Sequence, residues 1–341
     1  MTDIDRDPTA EQRKADHIEL AFASQIPHAG IDARFDYEPL LAPHPLPGSL
    51  PPVRMAGHSL AAPIWVSSMT GGTGKARTIN DNLARACKEF GMGMGLGSCR
   101  PLLYGDERLG DFDMRPLIGD DLPLFANLGV AQIEQLQRDR EVWRIPAMLD
   151  KLRADGLIVH VNPLQEWLQP EGDRFERSPL ETIEQLLADF NHLVIVKEVG
   201  QGMGPASLHK LLQLPLEAIE FAAGGGTNFS RLELLRSDPV RQQIYKALEH
   251  VGHSAEQMVD VVNALVQELG DKVACRNVII SGGVRDFLDG HYLRERCTLN
   301  SVYGQASAFL RHATGDYQTL RTFVATQVRG LELAHAYLKV R

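Results

Sequence analysis

Residues 277–306 read NVIISGGVRDFLDGHYLRERCTLNSVYGQA. A short β-branched apolar run (277–282) leads into a Gly-Gly turn, a helical stretch (287–296) and a second apolar run (301–306). Strand, turn, helix, strand is the βαβ unit, and a strand that is apolar throughout is one buried on both faces of a parallel sheet. The pattern repeats upstream. Further runs stand at 218–223 (AIEFAA), 192–198 (HLVIVKE), 156–162 (GLIVHVN), 122–128 (LPLFANL), 92–97 (MGMGLG) and 62–69 (APIWVSSM). Helical stretches at 80–90, 131–138, 179–189 and 207–212, and a long piece from Ser230 to Leu269, lie between them. Eight such units close most economically as a (β/α)8 TIM barrel, which is the fold this order predicts. An open doubly wound sheet is disfavoured because GMGMGLGS places its glycines in a register other than GxGxxG. Residues 1–60 carry Pro39, Pro43, Pro45, Pro47, Pro51 and Pro52. They read as an N-terminal helix and an irregular arm, with a short hairpin at the barrel bottom, ahead of a single-domain barrel at 61–341.

Composition narrows the function class. The 341 residues are 44% hydrophobic and 23% charged, which excludes disorder as the main state. With 35 basic and 44 acidic residues the formal charge is -9, so no broad field holds the chain on nucleic acid or an anionic membrane. Any anionic ligand needs a local cluster of donors. Cys87, Cys99, Cys275 and Cys297 form no CxxC or CxxH pair, so neither a zinc knuckle nor a disulfide framework is indicated. The polar start and the lack of an apolar run of roughly 18 residues predict a soluble, cytoplasmic protein.

In a barrel of this kind the chemistry lies at the carboxyl ends of the strands, and every predicted strand ends in polar residues. Glycine runs after the sixth, seventh and eighth strands, with Thr227, Gly282, Gly283 and Arg285 among them, can converge backbone N–H groups on one phosphate. Lys197 ends the apolar run VIVKE, where an amine is costly unless its charge is used. A Schiff base, a phosphate contact or a contact to a flavin ring are the three uses open to it, against a purely structural pairing with Glu198.

Taken together these motifs resemble the type 2 isopentenyl diphosphate isomerases, FMN-dependent barrels. The resembling pieces are RKADHI from Arg13, SSMTGGT, GLGSCR, ANLG, HVNPLQEWLQPEGD, KEVGQGM, GGGTNFSRLE and SGGVRDFLD. The resemblance implies FMN held by Ser67, Ser68, Met69, Thr70, Ser98, Asn127, Lys197, Thr227, Gly282, Gly283, Arg285, Ala306 and Ser307. It implies a diphosphate substrate met by Arg13, Lys14, Ser98, Cys99 and Arg100, with His160, Asn162 and Gln165 lining the pocket, and Mg2+ on Glu166. Gln165, His160 and Lys197 take the catalytic roles it implies, with NADPH needed only to reduce FMN and a homo-oligomer, tetramer or octamer, as the assembly. The reaction so implied is proton transfer that interconverts isopentenyl and dimethylallyl diphosphate in isoprenoid biosynthesis, using reduced FMN and without net redox.

The chain departs from that pattern at Cys99, where Gln is usual, at Glu220 for Asp, at Ala223 for Gly, and in CTLNSVYG before the eighth strand. Cys99 in GLGSC also permits a nucleophile reading. The alternative enzyme is an FMN oxidoreductase of the 2-hydroxy acid oxidase type, which needs a histidine base at the end of the seventh strand, where Ser281 stands. A flavin-binding sensor without chemistry would not need the Arg-Lys start, Gln165 and Glu166.

Overall fold

The eight apolar runs form one closed sheet. The computed structural model describes residues 9–68 and 74–341, and among them the barrel strands are β1 (Ile64–Val66), β2 (Gly93–Gly95), β3 (Leu124–Gly129), β4 (Gly156–His160), β5 (Leu193–Lys197), β6 (Ala218–Glu220), β7 (Asn277–Ser281) and β8 (Asn300–Gln305). Each pairs in parallel with its neighbours in chain order, and β8 returns to β1 through Tyr303↔Ile64, Gly304↔Trp65 and Gln305↔Val66. The barrel expectation is borne out.

Its interior is a packed core. Ile64, Trp65, Phe125, Ile158, Ile195 and Ile279 are fully buried, and the Trp65 and Phe125 rings meet edge to face at 5.9 Å. Gly93 makes room for that layer, since a Cβ there would stand 2.3 Å from the Trp65 ring.

Helices at Ala76–Phe90, Val130–Arg138, Pro179–Asp189, Pro205–Leu211 and Phe287–Arg296 follow the sequence reading closely. The long piece does not. It divides into Phe229–Arg236, Pro239–Tyr245 and Ala255–Leu269. Asp238 caps a new helix with Pro239 at its first position, Gly252 turns the chain at φ +154°, and Ser254 opens the last helix with a capping box. The structure also holds a 21-residue helix, Tyr317–Tyr337, against the outer face.

The arm contains the predicted helix, Ala10–Leu20, and the predicted hairpin, Val53–Met55 with His58–Leu60. Ala56 at the hairpin tip donates its N–H to Glu217, the residue before β6, at 2.6 Å, which places the hairpin at the barrel bottom. Between them Phe35–Tyr37 pairs antiparallel with Leu338–Val340. Arg34, just before that strand, is fixed to Asp289 at 2.8 Å and to Asp32.

Candidate active site

The carboxyl ends of β1, β5, β6, β7 and β8 enclose a cleft of about 430 Å3, in the range that holds a cofactor. Of the predicted cofactor residues, Ser67, Ser68, Lys197, Thr227, Gly282, Gly283, Arg285, Ala306 and Ser307 line it. Met69 and Thr70 lie outside the described residues. Asn127 is buried behind the cleft, and Ser98 is exposed beyond it.

Glycine geometry builds the outer end. Gly282 and Gly283 have φ of +87° and +73°, and Gly225 has +101°, conformations that L side chains rarely adopt. A Cβ on Gly282 would stand 2.1 Å from the Ala223 carbonyl oxygen, so the β6 and β7 loops interlock backbone to backbone. Two loops held this closely make a cradle open to a phosphate. Arg285 at its rim is engaged, with Nε donating to Asp289 at 2.9 Å, a contact that raises its pKa.

Polar groups fill the inner end. Lys197 is buried, and its Nζ donates to the Glu198 carbonyl oxygen at 2.9 Å. The Glu198 carboxylate turns away and accepts from the N–H groups of Gly200, Gln201 and Gly202, so the Lys197 to Glu198 side-chain pairing is not what the strand supports. Glu220 takes that place, with Oε1 3.8 Å from Lys197 Nζ. Fully buried in a strand read as apolar, Glu220 entered the sequence reading only as a departure from Asp, with no site role; a charge inside AIEFAA is the same signal that singled out Lys197. The hydroxyls of Ser67 and Ser68 and Glu220 Oε2 are buried without a hydrogen-bond partner among the described residues. Unpartnered donors and acceptors beside a lysine and a glycine cradle match the ring, hydroxyl chain and phosphate of FMN.

A second network adjoins this floor. His160, paired in register with Lys197, shares a 2.7 Å hydrogen bond with Asn127 through Nδ1. Burial, with Lys197 adding to it, pushes its pKa down to about 3, so the imidazole is neutral. Asn162 stands just before the short helix Pro163–Leu168, and its amide donates to the Gln165 side chain at 3.1 Å and to the Glu166 carboxylate at 3.0 Å. Gln165 in turn donates to Glu233 at 3.4 Å, an acid absent from the sequence prediction. Glu166 accepts from the Asp173 N–H at 2.8 Å, and Asp173 pairs with Arg100 at 3.1 Å. The structure thus joins Arg100, Asn162, Gln165 and Glu166 through one chain of contacts.

Two predicted groups stand apart from it. Cys99 points into the core; burial pushes its thiol up to about 12, which disqualifies it as a nucleophile. Arg13 and Lys14 sit on the exposed arm helix, and neither is among the described residues that line the cleft. No cluster of three or more His, Cys, Asp or Glu suited to a metal occurs among the described residues. Glu166 Oε1 accepts from Asn162 Nδ2 and Oε2 from the Asp173 N–H, while Asn162 Oδ1 is buried with no hydrogen-bond partner among the described residues. A carboxylate and a buried amide oxygen are the donor types that a hard cation keeping most of its waters takes.

No family model matches the chain. An isopentenyl-diphosphate delta-isomerase of a Synechococcus species is 35% identical over 283 residues, covering 82% of this chain and 78% of the relative. The enzymes of the same name from Rickettsia peacockii and Rickettsia akari are 31% and 32% identical, covering 86% and 85% of their lengths and 89% and 88% of this chain. Among solved structures, a mandelate oxidase with an FMN adduct superposes with a TM-score of 0.52 at 13% identity, covering 90% of this chain and 88% of its own. Flavocytochrome b2 gives 0.59 at 15%, covering 89% and 72%. These two share the fold.

Proposed function

The chain belongs to the isopentenyl-diphosphate delta-isomerases, and from that membership we propose that it interconverts isopentenyl and dimethylallyl diphosphate at the carboxyl end of its barrel, with FMN in the cleft. The observation that carries this is the pairing of the Lys197, Ser67, Ser68 and glycine-cradle cleft with the adjoining Asn162, Gln165 and Glu166 network. Reduced FMN, when bound, supplies an exchangeable proton beside the substrate. The protein's own part is to hold and to shield. Ser67, Ser68 and Lys197 would hold the flavin ring, Thr227, Arg285, Ala306 and Ser307 with the two glycines would hold its phosphate end, and Asn127 and Ser98, which do not line the cleft, would assist from outside it.

Gln165 is placed to orient the five-carbon chain, since its amide is fixed between Asn162 and Glu233. Neutral His160 adds a hydrogen-bonding wall without a charge that would compete for the diphosphate. Glu166 and Asn162 would hold Mg2+, which would offset charge on the diphosphate; Arg100 would meet the same anion, and Arg13 and Lys14 would close over it from the arm. NADPH is the reductant in this reading. Exposed Ile18, Phe22 and Ile26 on the arm suit a homo-oligomer. No helix among the described residues is long and apolar enough to cross a membrane, and the reading places the enzyme in the cytoplasm.

The 2-hydroxy acid oxidase alternative lacks its base, because the end of β7 carries Ser281, whose hydroxyl donates to Glu220 at 3.2 Å. The deciding experiment is anaerobic incubation with photoreduced FMN, Mg2+ and isopentenyl diphosphate, without nicotinamide. Dimethylallyl diphosphate is the expected product. No isomerisation under these conditions, together with oxygen consumption in a separate aerobic incubation with a hydroxy acid, would refute the proposal.

A further inference from the structure

Glu220 has no structural duty that accounts for it. Burying a carboxylate completely is costly unless it is paired and hydrogen-bonded. Its Oε1 has the Ser281 hydroxyl at 3.2 Å and Lys197 Nζ at 3.8 Å, a loose pairing, and its Oε2 has no partner among the described residues. Both Glu220 and Lys197 line the cleft, on adjacent strands in register. Lys197 does not depend on Glu220 for its position, because the Glu198 carbonyl oxygen holds the same Nζ at 2.9 Å. Removing the carboxylate would therefore leave the ammonium in place and change the charge that a ligand meets.

We propose that Glu220 is a positioning residue for the bound flavin: it offsets the charge of Lys197, so that the ring meets a near-neutral pair, and it offers its second oxygen to a donor on the ligand. This rests on the FMN reading above. A lone lysine beside the ring favours the anionic reduced form; a paired one favours it less. Glu220 thereby sets how strongly the protein prefers reduced over oxidised flavin.

The test is the two-electron reduction potential of bound FMN in wild type, E220Q, E220D, K197M and the double variant K197M/E220Q, with flavin occupancy measured by titration. E220Q should favour reduced flavin about tenfold, a rise of about 30 mV for a two-electron couple. E220D, which keeps the charge, should stay near wild type. K197M should fall, and the double variant, which leaves no uncompensated charge to unfold the site, should return towards wild type. A potential unchanged in E220Q, or a double variant as low as K197M alone, overturns the proposal while leaving FMN binding intact. Wild-type protein that takes up no flavin overturns the cofactor reading and this proposal with it.

Discussion

Replacing Gly282 by alanine should damage both the stability of the cofactor-free protein and its affinity for FMN. The added methyl would meet the Ala223 carbonyl oxygen at 2.1 Å and the Ala223 nitrogen at 2.2 Å. Both are backbone atoms in the loop after β6, so no side chain can swing aside. The backbone at φ +87° adds its own cost for an L residue. Left-handed backbone costs roughly 1–2 kcal/mol and overpacking of a tight contact about 1–3, giving about 2–5 kcal/mol in total. Relief requires the β6 and β7 loops to separate, which opens the phosphate cradle. Flavin affinity should drop by roughly tenfold or more, the worth of one or two hydrogen bonds to a charged group. Urea unfolding of the apoprotein and fluorescence titration with FMN measure the two effects. Gly315→Ala is the control, since nothing lies within 4 Å of a Cβ there, and its stability should stay within about 0.5 kcal/mol of wild type. G282A as stable as G315A, with wild-type FMN affinity, would show that the loop interlock does not form the cradle.

His160, ordinarily near 6.5 and here at about 3, is neutral when folded and takes a proton more readily when unfolded. Its stabilising contribution is complete above pH 6.5 and is lost as the pH falls towards 3, reaching on the order of 2 kcal/mol at pH 5; H160Q should flatten the stability profile between pH 7 and 5, and parallel profiles would refute the assignment. Glu166→Gln should leave flavin bound, raise the Mg2+ concentration needed for half-maximal rate and lower turnover, and an unchanged Mg2+ dependence would remove Glu166 from the metal. Arg13→Ala and Lys14→Ala should each raise KM for isopentenyl diphosphate roughly tenfold or more while FMN Kd stays put, as expected for a charge-assisted phosphate contact. Wild-type KM in both would leave the arm a packing role alone.

What could be read from the sequence followed burial. Strands sealed inside a parallel barrel are unbroken apolar runs, so β4, with GLIVH, and β7, with NVIIS, stand out from the helices around them. The segment 230–269 misled because Pro239 and Gly252 sit within a stretch of helical composition, and the caps at Asp238 and Ser254 turn them into two helix starts. Phe35–Tyr37 had no local signature, since its pairing partner lies near residue 340. In the site, residue types pointed to the cleft, but side-chain direction did not follow from them. Cys99 and Arg100 are adjacent, yet one faces the core and the other solvent. Glu220 was noted only as standing in for Asp, its role in the site masked by apolar neighbours, and Glu233 reached Gln165 only through the packing of a helix 68 residues further on.

The short antiparallel pair that ties the arm to the end of the chain also orders events in time. Phe35 is translated before any barrel strand, and Val340, which faces it, after all of them. While a ribosome is still adding β2 to β8, residues 34–37 have no edge to pair with, and until β7 is complete the Asp289 that receives Arg34 does not yet exist. Closing a loop of some three hundred residues is cheap in entropy only once the intervening chain has folded. The strap is therefore the last tie that synthesis permits, a seal on a barrel whose eight strands are already made.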